Sequence, residues 1–338
     1  MKIALVMAGN EEGGLEKHVV ELANALARRG HAVSLVAHEK YSGRLDSSVT
    51  FHAVDLARSR RSPLALFQLW KALKQSGAEL VHAHGAKAAS MVGFVLPWLA
   101  VRSVASIHSL KKRHHMFGRF DAVIAVSRYV ADGLAVKALH LIHNGLDLPA
   151  MADGDGGSRL RRMYAPDGRP LVLAVGRLVP VKGFEELIEH FPVESGRLIV
   201  AGDGAGHGGL EARIAARRAE ADIRLLGQRD DIPALLSAVD LLVISSRQEG
   251  GPYVLAEALQ AGVPVVSTAV GMVPDVLPEE WTCPPNAPEV LCDLIQRALA
   301  NPEGIRRSQA GAMDYARNVL SLSGMTDRVE MVYHEVLS

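Results

Sequence analysis

Along the whole chain, short apolar runs alternate with longer stretches in which apolar residues recur every three or four positions. Runs of the first kind suit strands buried on both faces, and the longer stretches suit the helices that cover them. In the first half, Lys2–Ala8 reads as a buried strand and Leu15–Arg29 as a helix that Gly30 stops. Further strands are predicted at Ala32–Ala37, Leu80–Ala83, Ser103–Ile107 and Ala122–Val126, and Leu139–Pro149 closes this half. The hydrophilic, Gly-rich Asp153–Ser158 reads as a linker. Beyond it, strands are predicted at Leu171–Val175, Arg197–Ala201, Ile223–Leu226, Leu241–Ile244 and Pro264–Ser267, with a last amphipathic helix from about Met325 to Val336. The pattern predicts an α/β fold of two doubly wound, Rossmann-like domains facing a central cleft, because such sheets bind ligands beyond the carboxyl ends of their strands. The expected limits are 1–150 and 159–322, with 323–338 as a helix returning toward the first domain.

Composition agrees with two folded domains: 338 residues, 49% apolar and 22% charged. The longest apolar stretch, Ala88–Val101, contains Pro97 and falls short of the roughly 20 residues of a spanning helix, so it reads as a buried helix and turn. The run Ile3–Ala8 is too short for a signal sequence, and Cys283 and Cys292 have neither disulfide nor metal-ligand spacing. A cytoplasmic protein is therefore expected. Charge changes the picture more. Residues 1–147 hold 19 Lys+Arg against 11 Asp+Glu, a balance of +8, and residues 148–338 hold 18 against 26, a balance of −8. Eleven of the 14 histidines also lie in the first part, so the two halves are expected to meet different partners, or each other.

Several residues have the chemistry of an anion site. Gly13 and Gly14 lie between the first strand and its helix, where backbone amides can approach a phosphate, although a flexible turn has the same composition. Arg177 leaves the strand end in Gly176-Arg177-Leu178, and Lys182-Gly183 follows in the loop. Two converging cations suit a diphosphate, with Arg forking two oxygens, and solvated surface charge is the alternative. In Ser245-Ser246-Arg247-Gln248-Glu249-Gly250-Gly251-Pro252-Tyr253-Val254-Leu255-Ala256-Glu257, Glu249 falls in a loop and Glu257 inside the next helix. Carboxylates there can hold sugar hydroxyls, and the amides of Gly251, Pro252's neighbour Tyr253 and Val254 can face a phosphate; a cap and a surface charge are the plainer readings. The segment Gly204-Ala205-Gly206-His207-Gly208-Gly209 spells a dinucleotide fingerprint, but it lies mid-chain and lacks the acidic residue that ends the next strand. His82 and His84 have metal-like spacing with no accompanying carboxylate.

Taken together, the Glu249 to Glu257 arrangement, Gly176-Arg177-Leu178 with Lys182-Gly183, the early Gly13-Gly14 and the run Ala261-Gly262-Val263-Pro264-Val265-Val266-Ser267 resemble glycosyltransferase family 4, of the two-domain GT-B fold. Val126-Ser127-Arg128, Ile142-His143-Asn144-Gly145-Leu146-Asp147 and Ala201-Gly202-Asp203-Gly204 extend the resemblance nearly end to end. It implies a retaining hexosyltransferase that takes a sugar from a nucleotide-sugar donor to a glycan or lipid-linked acceptor, as in cell-surface polysaccharide or lipopolysaccharide synthesis. By the resemblance, Arg177 and Lys182 bind the diphosphate, Glu249 the transferred sugar, Glu257 the ribose and Arg229 a place near the base. Gly14 lies near the phosphate, and His108 borders sugar and acceptor. Gly251 stands where the family commonly has Phe, which leaves the sugar open.

The acceptor is expected at Glu16, His108, Lys111 and Arg113. Basic loops with Arg58, Arg60, Arg61 and Lys111–His115, beside Met116 and Phe117, suit an anionic membrane surface or a phosphorylated, lipid-linked acceptor. The expected donor is a UDP-sugar ahead of a GDP-sugar, with no further cofactor, no nucleic-acid partner and no metal. Asp230-Asp231 lacks the spacing for Mg2+, and Asp153-Gly154-Asp155 falls in the expected linker. A sugar-nucleotide epimerase of the same architecture is the alternative enzyme, and a non-catalytic nucleotide-sugar binder the third reading.

Overall fold

The computed structural model describes residues 1–9, 13–109, 115–148, 156–219 and 221–338. The chain forms two compact units, Met1–Leu146 together with Val319–Ser338, and Asp147–Asn318. These limits differ from the expected ones at both crossings, since the chain leaves the first unit after Leu146 and rejoins it at Val319. Lys111, Arg113 and Asp153–Asp155 lie outside the described residues. Among the described residues no helix is long and apolar enough to cross a membrane.

The first unit is a seven-stranded sheet of β1 (Lys2–Met7), β2 (Ala32–Ala37), β3 (Thr50–Ala53), β4 (Leu80–His84), β5 (Arg102–Ile107), β6 (Ala122–Ala125) and β7 (Leu139–Leu141). Their order is β3-β2-β1-β4-β5-β6-β7 and every pairing is parallel. Because side chains alternate across a strand, β1 sends Ala4 and Val6 to one face and Ile3, Leu5 and Met7 to the other, and each face is buried. One face carries Leu69, Met91, Val92, Phe117 and Phe120. The other is covered by helix Gly14–Arg28 and by the returning helix Leu322–Leu337, which contributes Met325, Val329, Val332 and Tyr333.

Where the chain leaves and rejoins this unit, the two strands of backbone touch. A Cβ on Gly145 would lie 2.3 Å from the Ser321 carbonyl, and the Leu146 amide donates to Leu320 at 2.9 Å. The His143-Asn144-Gly145 stretch is thus a packing device of this unit. Arg29 fastens the returning helix at its start, donating to Asp327 at 2.6 Å and Glu330 at 2.5 Å.

The second unit has six parallel strands, β8 (Leu171–Val175), β9 (Arg197–Ala201), β10 (Ile223–Leu225), β11 (Leu241–Ile244), β12 (Val265–Thr268) and β13 (Thr282–Cys283), in the order β10-β9-β8-β11-β12-β13. In each unit the order reverses beside the first strand, between β1 and β4 and between β8 and β11, which opens a crevice at the carboxyl ends.

Three strands escape the apolar pattern. β3, Thr-Phe-His-Ala, and β7, Leu-His-Leu, are edge strands with no fully buried residue, and β13 is only two residues long. The expected linker is also corrected in part: Gly156–Ser158 open the helix Gly156–Tyr164. Gly157 is there for contact, since a Cβ on it would meet Ser237 Oγ at 2.2 Å, on the helix Ile232–Ala238.

Tyr333 is fully buried and its hydroxyl lies 2.6 Å from His82 Nδ1. Tyr333→Ala should cost the first unit about 3 to 5 kcal/mol by leaving a cavity and an unpaired imidazole. In denaturant titration the first unit's transition should move while that of the second stays in place; an unmoved first transition would show that the returning helix contributes little to this core.

Candidate active site

At the carboxyl end of β8 the chain makes a sharp approach to its neighbour strand. The Gly176 amide donates to Ala201 at 3.0 Å and Leu178 to Asp203 at 3.0 Å. Glycine is required on the facing segment, because a Cβ on Gly202 would lie 1.9 Å from the Gly176 carbonyl, and those on Gly204 and Gly206 would lie 2.8 and 2.9 Å from that of Leu178. The fingerprint-like glycines therefore buttress the segment that presents Arg177. Arg177 itself is exposed, and its guanidinium has no partner among the described residues.

The next loop is tied to the end of β11. Ser245 Oγ donates to the Lys182 carbonyl at 2.8 Å, and the Arg247 amide to that of Val181 at 2.8 Å. Gly183 adopts φ +67, and a Cβ there would collide with the Ser245 carbonyl at 2.1 Å, so both the conformation and the contact demand glycine. These ties bring Lys182 Nζ within 2.5 Å of Glu249 Oε1, with both side chains mostly buried. Ser246 Oγ donates to the same carboxylate oxygen at 2.7 Å. Ser246 is held in turn by Thr268 Oγ1, which donates to its carbonyl at 2.6 Å. A Cβ on Gly271 would lie 2.5 Å from the Gly250 carbonyl, which closes the other side of this loop.

Pro252 precedes the helix Tyr253–Gln260 as its cap, so Gly251, Pro252, Tyr253 and Val254 do form the entry to a helix. Glu257 lies inside that helix, partly buried. Arg229, beyond β10, is engaged by Asp231 in a forked pair, with Nε at 2.8 Å and Nη2 at 2.5 Å. That pair, first through its hydrogen bonds, raises the guanidinium above its ordinary pKa. The second unit thus brings together Lys182 and Glu249, and at the neighbouring strand end holds Arg177.

In the first unit, Gly13 caps the helix that Gly14 begins. Glu16 folds back over this turn: a Cβ on Gly9 would lie 2.4 Å from Glu16 Oε1, and one on Gly13 3.0 Å from Oε2. The carboxylate is buried over the same turn that the sequence offers to a phosphate. Beside it, at the ends of β4 and β5, four histidines meet. The rings of His18, His84 and His108 lie 4.8 to 5.7 Å apart between centroids, and His82 and His84 are 3.9 Å apart. His82 is saturated by Tyr333 and by Ser106, whose Oγ is 2.7 Å from Nε2. It therefore cannot join His84 as a metal ligand, as their spacing allows. His18, His84 and His108 instead have ligand atoms within 4.8 Å of one another and are the residues that could share a cation. Both ring nitrogens of His84 and His108 are buried without a hydrogen-bond partner among the described residues.

Two family descriptions match this chain, "Glycosyltransferase Family 4" over residues 12–149 and "Glycosyl transferases group 1" over residues 160–317. The chain belongs to glycosyltransferase family 4. Among its relatives, an alpha-D-kanosaminyltransferase of Streptomyces kanamyceticus is 31% identical over 189 residues, which span 53% of this chain and about half, 49%, of that protein. The phosphatidylinositol N-acetylglucosaminyltransferase GPI3 subunit of Saccharomyces cerevisiae is 24% identical, across 96% of this chain and 79% of its own. The fold matches that of Anabaena Alr3699/HepE, crystallised in complex with UDP, with a TM-score of 0.84, 19% identity and coverage of 99% and 100% of the two chains. The two parallel-sheet units are those of the GT-B glycosyltransferases.

In this family 4 enzyme the motif residues were visible as motifs, but three parts of the site were not. His18 gives no signal beyond lying on a buried helix face, and Thr268 and Gly271 come from a strand and turn far along the chain. Burial holds the histidines neutral, with His82 near pKa 3, His108 near 4, and His18 and His84 well below the usual value. In the unfolded chain each titrates near pH 6.5. Their contribution is present above that pH and is lost below it, as the unfolded chain takes up protons the folded one refuses. The stability of the first unit should fall by about 1.4 kcal/mol per pH unit for each such histidine between pH 6.5 and about 4. Urea midpoints at stepped pH test this: His108→Gln should flatten the slope, and a wild-type midpoint unchanged from pH 7 to pH 5 contradicts it.

Proposed function

We propose that the chain is a retaining hexosyltransferase that moves a sugar from a nucleotide-sugar to a glycan or lipid-linked acceptor without a metal. The observation that carries this reading is the pairing of Lys182 with Glu249 at 2.5 Å, together with Arg177, whose guanidinium has no partner among the described residues. In the resting protein the two charges neutralise each other. A diphosphate arriving at Arg177 competes for Lys182, and Glu249, still held by Ser246, is released to accept hydroxyls of the sugar. As the glycosidic bond breaks, negative charge gathers on the departing diphosphate, so contacts from Arg177 and Lys182 strengthen in the transition state. The acceptor hydroxyl then attacks from the face the nucleotide leaves, giving retention. Glu257 takes the ribose and Arg229, oriented by Asp231, borders the base. UDP is the preferred nucleotide, in keeping with the UDP complex of Alr3699/HepE. The polar ends of β4 and β5, with His108, face the acceptor, and a lipid-linked acceptor is in keeping with the phosphatidylinositol N-acetylglucosaminyltransferase relative.

Arg177→Ala and Lys182→Ala should each lower kcat/KM by about 2 to 4 kcal/mol of transition-state stabilisation. Glu249→Gln frees Lys182, so calorimetry should find UDP bound at least as tightly as by the wild type while transfer is largely lost. Product anomers read by NMR should keep the donor's configuration, and turnover should persist in excess EDTA. An inverted product, EDTA-sensitive turnover, or normal turnover by Glu249→Gln would each overturn the reading. Incubation of a UDP-sugar without acceptor should yield only slow hydrolysis, whereas rapid interconversion of sugars would identify an epimerase.

A further inference from the structure

The first unit has a second charged cavity, of about 420 Å3, lined by Arg60, Arg61 and Arg119 with His115, and floored by apolar Leu66 and Met116. The arginines come from two places in the sequence: Arg60 and Arg61 from the loop after β3, and Arg119 from the segment before β6. Arg60 and Arg61 have no ionic partner among the described residues, and Arg119 donates only to the Gly93 carbonyl, at 3.0 Å. The nearby carboxylate, Asp55, is engaged by Arg58 at 3.1 Å. Lys87 adds to the crowding: burial first, and then the charge of Arg60, hold its ammonium below the ordinary pKa. Like charges gathered this way repel, and a bound anion relieves them. Phe94 also lines the cavity, and its ring lies 5.9 Å from that of Trp98. The helices that supply Leu66 and Phe94 to the lining, Pro63–Ser76 and Gly85–Val95, and the turn Leu96–Trp98 expose Leu64, Phe67, Phe94 and Trp98, each more than half accessible. Large apolar side chains on the elements that line a cationic pocket match an amphiphile with an anionic head.

We propose that this pocket takes the phosphate of an anionic phospholipid and seats the protein on a lipid surface, with Phe67, Phe94 and Trp98 entering the interface. Arginine forks suit phosphate oxygens, and tryptophan favours the boundary between headgroups and acyl chains. A soluble phosphate would satisfy the arginines but leave the exposed aromatics of the lining helices in water. This surface is separate from the groups assigned to the donor, so it stands or falls independently of the reaction.

The test is sedimentation of the full chain with vesicles of phosphatidylcholine alone or mixed with phosphatidylglycerol. The protein should pellet with the mixed vesicles and be released by salt. Arg60→Ala with Arg61→Ala should lower the partition coefficient about fivefold per arginine. Arg102→Ala with Lys137→Ala, which removes the same charge from elsewhere on the unit, should change it little. Phe67→Ser with Trp98→Ser should weaken binding with the charge intact. The first unit's denaturant midpoint, measured on every variant, should match the wild type, which shows that the mutated unit remains folded. Equal recovery with neutral and anionic vesicles, or equal losses from the pocket and control pairs, would overturn the proposal. So would saturable binding of inorganic phosphate at the pocket in a protein whose vesicle binding ignores Arg60 and Arg61.

Discussion

The crevice of the second unit is organised around one ion pair, Lys182 with Glu249, and the close backbone packing that makes it possible. A pair this buried is not a stabilising ornament, because desolvation offsets most of its attraction; removing one partner, however, leaves the other charge stranded. Its value is positional. Two loops from the strands on either side of the crevice must approach within hydrogen-bonding distance, and only residues without a Cβ permit that. Gly183 lets the Lys182 loop rest on Ser245, Gly202, Gly204 and Gly206 let the next strand end support Arg177, and Gly271 closes on Gly250. These glycines are therefore the geometric cause of the charge arrangement.

The first unit solves a different problem at the equivalent crevice. Four imidazoles are packed where β4 and β5 end, and burial keeps them uncharged. Neutral imidazole can both donate and accept, which suits a face that meets hydroxyl groups. Among the described residues His82 is bonded at both ring nitrogens, through Tyr333 of the returning helix and Ser106. That bond links the terminal helix to the polar end of the sheet, so the last residues of the chain support the position of the histidines as well as the core. Glu16, closing over Gly9 and Gly13, occupies the amide turn that most resembles a phosphate site from sequence.

How far the sequence could be read depended on whether a feature was periodic or depended on contact. Strands such as β8, β9 and β11 are continuous apolar runs and stand out at their exact limits, and the doubly wound order follows from their alternation with helices. Edge strand β3 has the same backbone pairing but no buried face, so no run marks it. Gly156-Gly157 looks like a linker because flexibility and close helix contact use the same residue, and only Ser237 tells them apart. Arg177, Lys182 and Glu249 were legible as charges at strand ends, whereas the pairing of two of them, the engagement of Arg229 by Asp231, and the replacement of His82 by His18 beside His84 and His108 are three-dimensional facts. Charge counting located a positive half, and the fold then gathered part of that charge into one apolar-walled pocket.

The central claim is that the donor's diphosphate exchanges with Glu249 for Lys182. A crystal structure of the protein soaked with an intact UDP-sugar tests it directly. The account predicts Lys182 Nζ and the Arg177 guanidinium on diphosphate oxygens, with Glu249 turned to the sugar hydroxyls. A donor bound in the second unit with the Lys182–Glu249 pair unbroken, and its diphosphate held by other residues, would contradict it.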